Sequence, residues 1–221
     1  MLIIFSRQRS EENNSVDIQQ LAEHFRSAAV SIPFIYDLPP TGKTVTSLRE
    51  RTSDTEKPVL FFSSLPVRAA GALLTTLKIS VDFCFDVTGK TTAAVITEIE
   101  AALRAERKNI PLENNSSVEN LTEPVSERWY PVVYRSECSG CLECVNFCLF
   151  GVYAIGGDNL PFVDLPDNCR NGCPACSRIC PQGVIMFPLH SDDSISGRSP
   201  KQKAEVSGGL DKLTDLIDEM A

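Results

Sequence analysis

The sequence predicts a two-part chain, a layered α/β domain followed by a small module organised by cysteines. Two observations carry this expectation. Over the first 108 residues, short apolar runs alternate with segments of helical periodicity. Beyond them, eight of the nine cysteines fall between Cys138 and Cys180 in two spaced groups.

Residues 2–5 read as the first strand, since Leu2-Ile3-Ile4-Phe5 stops at Ser6-Arg7-Gln8-Arg9 and lacks the basic start and longer apolar core of a secretory signal. Asn14-Ser15 could cap a helix in which Ile18, Leu21, Phe25 and Ala28 share a face. Residues 30–36 read as a second strand, broken at Pro39-Pro40, and 44–51 as a short helix. Residues 59–62 form a compact apolar strand, and Pro66 suits the first turn of a helix through Lys78. A fourth strand is expected at 81–85. The strongest helix follows at 91–108, with Val95, Ile99, Ala102 and Leu103 on its buried face. Four strands alternating with helices point to a mostly parallel sheet in a three-layer α/β sandwich covering residues 1–108.

Residues 109–127 are rich in Asn, Ser, Glu and Pro, the composition of a linker. The cysteine module spans 128–190. A flexible tail, 191–221, closes the chain, its polar stretch 191–209 expected to be disordered. Leu210, Leu213, Ile217 and Met220 mark a short C-terminal helix within it.

The formal net charge is −8, and no segment carries more bases than acids, so a phosphate-tracking surface and nucleic acid binding are not expected. No apolar run is long enough to span a membrane. With clustered cysteines and no export signal, the reading is a cytoplasmic protein whose thiols bind metal rather than form disulfides.

The first cysteine group is Cys138-x2-Cys141-x2-Cys144-x3-Cys148; the second is Cys169-x3-Cys173-x2-Cys176-x3-Cys180-Pro181. A cubane iron–sulfur cluster needs four converging thiolates, and one tight loop can supply three of them. The fourth cannot easily reach back from the following helix, so it serves the other cluster. Cys138, Cys141, Cys144 and Cys180 are thus expected to hold one cluster, and Cys169, Cys173, Cys176 and Cys148 the second. Such crossing makes folding depend on metal. Zinc is the competing reading for Cys-x2-Cys pairs, but zinc ribbons pair two such knuckles rather than four-cysteine runs.

Across about 60 residues, from near Tyr130 to Pro188, this segment resembles the bacterial-type two-cluster ferredoxins. The resemblance implies two [4Fe–4S] clusters and a pseudo-twofold α+β fold of hairpins and two short helices. Strands are then expected at 131–134, 152–155, 162–164 and 184–187, with Gly140 allowing a close backbone approach in the first loop. Leu149 stands where the family usually has proline, and the second group carries an extra residue between Cys169 and Cys173. A Cys-x3-Cys-x2-Cys spacing also occurs in radical S-adenosylmethionine enzymes, but there it binds a single cluster without a partner group.

The ninth cysteine, Cys84, reads as a buried apolar residue in a strand. Thr41-Gly42-Lys43-Thr44 and Thr88-Gly89-Lys90-Thr91 each follow an aspartate-ended run and precede a helix. Asp37 and Cys84 occupy the position where a complete P-loop has its first glycine, so both read as polar turns with threonine caps. The alternative is an anion, flavin or nucleotide site at the carboxyl edge of the sheet, recruiting Ser6, Arg7, Arg9, Ser63 and Ser64. By topology the domain resembles flavodoxin-like and Rossmann-type folds. His24 and His190 form no constellation, and no catalytic residue is indicated. The leading expectation is an electron carrier exchanging with a donor and an acceptor redox protein, its apolar cluster shell supplied by Phe147, Phe150, Tyr153 and Ile155. A flavin- or nucleotide-binding oxidoreductase subunit and a redox-responsive regulator are the alternatives.

Overall fold

A computed structural model of the 221-residue chain describes residues 1–8, 16–53, 57–105 and 116–199. The first part is β1 (Leu2–Ser6), α1 (Ile18–His24), β2 (Ala28–Ile32), α2 (Lys43–Thr52), β3 (Val59–Ser63), α3 (Val67–Thr76), β4 (Phe83–Asp86), α4 (Thr92–Ala105) and β5 (Ser117–Asn120). The five strands form one parallel sheet in the order β4-β3-β1-β2-β5. Alternate residues point to opposite faces of a strand. Ile4, Val30 and Phe61 lie in register and pack on the side of α2 and α3, with Val45, Leu48 and Leu73. Ile3, Phe5, Ala29 and Phe62 turn to the other side, against Leu21 of α1 and Val95, Ile99 and Leu103 of α4. Both faces of the sheet are therefore covered, as an all-parallel sheet requires.

Several elements depart from expectation. The second strand ends at Ile32, because Pro33 has no N–H to continue the ladder. The apolar run beyond it becomes a buried 3-10 turn, Ile35–Asp37. Asp17, rather than Asn14-Ser15, caps α1, its carboxylate accepting from the N–H groups of Gln19 and Gln20 at 2.8 and 3.3 Å; Asn14 and Ser15 lie outside the described residues. Within the expected linker, Ser117–Asn120 adds a fifth strand parallel to β2. In the expected tail, a short helix, α7 (Asp193–Ser196), is capped by Asp192 and buries Ile195. Residues 106–108, 109–115 and 200–221, including the stripe Leu210, Leu213, Ile217 and Met220, lie outside the described residues.

The second part consists of β6 (Val132–Val133), α5 (Glu143–Phe147), β7 (Tyr153–Ile155), β8 (Pro161–Val163), α6 (Ala175–Ile179) and β9 (Ile185–Met186). β6 pairs antiparallel with β9, and β7 with β8.

The two parts share a core: Tyr130, Val132 and Met186 pack in the same cluster as α2 and α3. At its centre two tyrosines interlock. The Tyr36 hydroxyl donates to the Tyr130 carbonyl oxygen and accepts from the Tyr130 N–H at 2.8 Å. The Tyr130 hydroxyl donates to the Tyr36 carbonyl at 2.9 Å, and the rings stack with centroids 4.3 Å apart. Around them the Arg128 N–H donates to Asp37 at 3.0 Å, and Arg68 reaches across to the Gly183 carbonyl and to Glu137, both at 3.1 Å.

Candidate metal centre

The cysteine segment is built twice from the same parts. A 3-10 turn, Arg135–Glu137 in one half and Pro166–Asn168 in the other, delivers Cys138 and Cys169. A left-handed residue then reverses each loop, Gly140 at φ +70° and Gly172 at φ +76°. In the first loop the reversal also brings Gly140 against Leu160, where a Cβ would come within 3.3 Å of the leucine side chain. Helices α5 and α6 carry Cys144 and Cys176 at their second positions, and Cys148 and Cys180 follow as their C-caps. Three residues on, Gly151 and Gly183 adopt positive φ, then Val152 and Val184 are buried as the chain enters β7 and β9.

This repeat sorts the eight thiols into two fours. One cavity is lined by Cys138, Cys141, Cys144 and Cys180, with Val133, Pro161, Val184 and Ile185. The other is lined by Cys148, Cys169, Cys173 and Cys176, with Phe150, Val152 and Tyr153. The first is tight, about 10 Å³; the second is open, about 420 Å³. Each takes three cysteines from its own loop and one from the helix end of the other half. Among the described residues, no three His, Cys, Asp or Glu side chains form a site for a single metal ion.

Burial, with the neighbouring Cys176, Cys180 and Cys138, pushes the Cys144 thiol up to about 12. Burial likewise pushes Cys176 up to about 12 and Cys169 up to about 11, with Cys148 among the thiols that raise both. Converging thiols resist becoming thiolates together unless a cation neutralises them, the demand that a metal centre meets. Tyr153 is buried beside them and its hydroxyl donates to Cys176 Sγ at 3.1 Å. Burial and the adjacent cysteines push the phenol's ionisation up, so it remains a donor. Trp129 donates from Nε1 to the Cys173 carbonyl at 3.3 Å and stacks on Phe187 at 5.2 Å.

No family model matches the chain. An uncharacterized ferredoxin of Methanocaldococcus jannaschii is 42% identical over 52 residues, which are 23% of this chain and 81% of that protein. Over those 52 residues the chain belongs to the ferredoxin family. That relationship supports an iron–sulfur, electron-transfer role in general terms, and the donor set fits it: soft thiol sulfurs, in fours, in apolar surroundings.

The apolar shell expected around the ferredoxin cysteines is only partly inside. Tyr153 is buried, but Phe147 is 51% exposed, Phe150 40% and Ile155 48%, while Leu149 is 92% exposed. Phe147, Leu149 and Phe150 instead rim the second cavity. Phe147 ends α5, and Leu149 and Phe150 follow its C-cap, Cys148, on the turn that leads to Gly151.

Of the groups considered for an anion or nucleotide site, Ser6, Ser63 and Arg7 bond to the protein itself. Ser6 accepts from the Ile35 N–H at 2.9 Å, Ser63 from the Leu65 N–H at 2.9 Å, and Arg7 donates to the Ile32 and Leu121 carbonyls. Ser64 gives its carbonyl to the Thr88 hydroxyl, and Arg9 lies outside the described residues. The first Gly-Lys-Thr turn does hold an anion, but an internal one. The Glu123 carboxylate accepts from the Lys43 and Thr44 N–H groups, both at 3.1 Å, and thereby caps α2. In the second, Thr91 caps α4 by accepting from Ala94, and Lys90 pairs with Glu98 at 2.8 Å. Nothing local in the sequence announces Glu123, which lies about eighty residues from the turn it closes.

Cys84 sits in β4 and lines neither cysteine cavity; it is half-buried rather than fully buried, its ionisation pushed up to about 12 by burial and by Asp86. His24 is exposed and pairs with Glu100 at 3.2 Å; His190 accepts from the Asp192 N–H. Among the described residues, no helix is long and apolar enough to cross a membrane.

Proposed function

We propose that the chain is a cytoplasmic electron-transfer protein holding two [4Fe–4S] clusters. Cys138, Cys141, Cys144 and Cys180 hold one, and Cys169, Cys173, Cys176 and Cys148 the other. The observation that carries the reading is the sorting of the eight cysteines into two cavities, each completed by a thiol from the opposite half. Iron fits these fours better than zinc. Zinc ribbons pair two Cys-x2-Cys knuckles, whereas these are four-cysteine runs, each lending its last thiol to the other cavity. When bound, the clusters supply one-electron acceptance and donation.

The protein's own groups do the rest. Val133, Val152, Val184 and Ile185 exclude water from the cysteines. The apolar rim of Phe147, Leu149 and Phe150 receives a redox protein at the second cavity, which small diffusible donors would not need. The N-terminal sheet domain holds the ferredoxin segment through the Tyr36–Tyr130 interlock and adds surface that selects the partner. Anaerobic purification of the full chain with iron and sulfide analysis tests this. About eight irons per chain, with a reduced-state paramagnetic signal, are expected for two four-iron clusters; about four, or zinc in place of iron, would refute it.

A further inference from the structure

The two cysteine cavities are repeats of one design, and the repeat differs at a position that touches sulfur. Counting five residues on from the helix-ending cysteines, Cys148 leads to Tyr153 and Cys180 leads to Ile185. Both residues are buried, both open a strand, and each lines the cavity built mainly by the other half's loop, beside the helix-ending cysteine of its own half. Yet Tyr153 carries a hydroxyl aimed at Cys176 Sγ at 3.1 Å, whereas Ile185 has no hydrogen to donate. The remaining three tyrosines, Tyr36, Tyr130 and Tyr134, line neither cavity.

We propose that the Tyr153 hydroxyl makes the two cluster sites inequivalent, holding the one built on Cys148, Cys169, Cys173 and Cys176 at the higher reduction potential. The inference rests on the two-cluster reading and deepens it. Adding one electron to an iron–sulfur cluster adds one negative charge, shared with the cysteine sulfurs. A donor fixed on such a sulfur then makes a charge-assisted bond, stronger in the reduced state than in the oxidised one. Low surrounding dielectric enlarges that difference, and Tyr153 is buried. No proton need move, because the phenol keeps its own. The electron therefore rests preferentially at the second site, beneath the exposed rim of Phe147, Leu149 and Phe150 where a protein partner would meet it.

The test is a redox titration of the full-length, cluster-loaded protein followed by electron paramagnetic resonance. Two one-electron waves are expected in the wild type, the higher one being the wave that Cys148→Ser perturbs. In Tyr153→Phe the ring stays and the donor goes. The reduction equilibrium constant of the higher wave should fall about tenfold, equivalent to about 59 mV for one electron, with the other wave unmoved. Should Tyr153→Phe fail to retain iron, wild-type chain made with 3-fluorotyrosine decides, since the more acidic phenol is a stronger donor and should move the higher wave upward. Waves that stay in place, or move together, overturn this inference alone. A preparation without two clusters overturns the proposed function instead.

Discussion

Replacing Tyr36 by Phe removes one oxygen atom from the junction between the sheet domain and the ferredoxin segment. That oxygen makes two hydrogen bonds, donating to the Tyr130 carbonyl and accepting from the Tyr130 N–H at 2.8 Å. Tyr36 is 0% exposed and Tyr130 7%, so water cannot replace the missing partner. Each orphaned buried group costs about 1–3 kcal/mol; with some relaxation between neighbouring groups, roughly 2–4 kcal/mol in all is expected. For a chain of this size about 2–4 °C of melting temperature accompanies each kcal/mol, which places the drop at roughly 5–15 °C. Tyr130→Phe breaks only the bond to the Tyr36 carbonyl and should lose about half as much. Thermal unfolding of cluster-loaded protein, followed by far-ultraviolet circular dichroism, gives both numbers. A shift under about 1 °C for Tyr36→Phe would refute the claim that this interlock joins the two parts.

Three other perturbations have definite outcomes. Glu123→Ala should uncap α2 and lower stability by about 0.5–2 kcal/mol in a urea titration, because its carboxylate closes the Gly42-Lys43-Thr44 turn; an unchanged midpoint would contradict the capping role. Leu149→Glu, at a side chain 92% exposed, should leave stability within about 0.5 kcal/mol and iron content unchanged. Its binding to a protein acceptor should weaken roughly tenfold, as loss of about 1.5 kcal/mol of apolar contact implies. Cys84, with its ionisation pushed up to about 12, should alkylate far more slowly at pH 8 in the folded chain than after unfolding. Its thiol is an acid made weaker by folding, so the stability it contributes is whole below the unfolded value of about 8.5 and drains as pH rises toward the folded one. Cys84→Ala should therefore flatten the decline in denaturation midpoint between pH 8 and pH 10.5, and an equal decline in both proteins would count against a raised thiol.

The parts of this molecule that were legible in the sequence are those where one residue type at one spacing answers one physical demand. Cysteine spacing is of that kind: the turns, left-handed glycines and short helices follow from gathering Cys138–Cys148 and Cys169–Cys180 about the two cavities they line. The buried strands are too, since β3 is apolar from Val59 to Phe62 and buried along its whole length inside the sheet. What escaped depends on distant neighbours. Residues 34–36 are as apolar as a strand, but their partner is Tyr130 rather than the sheet. Ser117–Asn120 is polar because only one of its edges is paired, so it looks like linker. Phe147, Leu149 and Phe150 read as core by type and lie at the surface by position. The Gly-Lys-Thr turn resembles a phosphate site locally, and only the fold reveals that Glu123 fills it.

Crossed ligation is the claim on which the account turns, and separate serine substitutions at Cys148 and Cys180 test it most directly. Spectra of the two reduced variants should show opposite losses: Cys148→Ser impairing the centre that Cys169, Cys173 and Cys176 build, Cys180→Ser the one built by Cys138, Cys141 and Cys144. If each substitution instead damaged the centre of its own loop, the assignment of the eight thiols would be wrong.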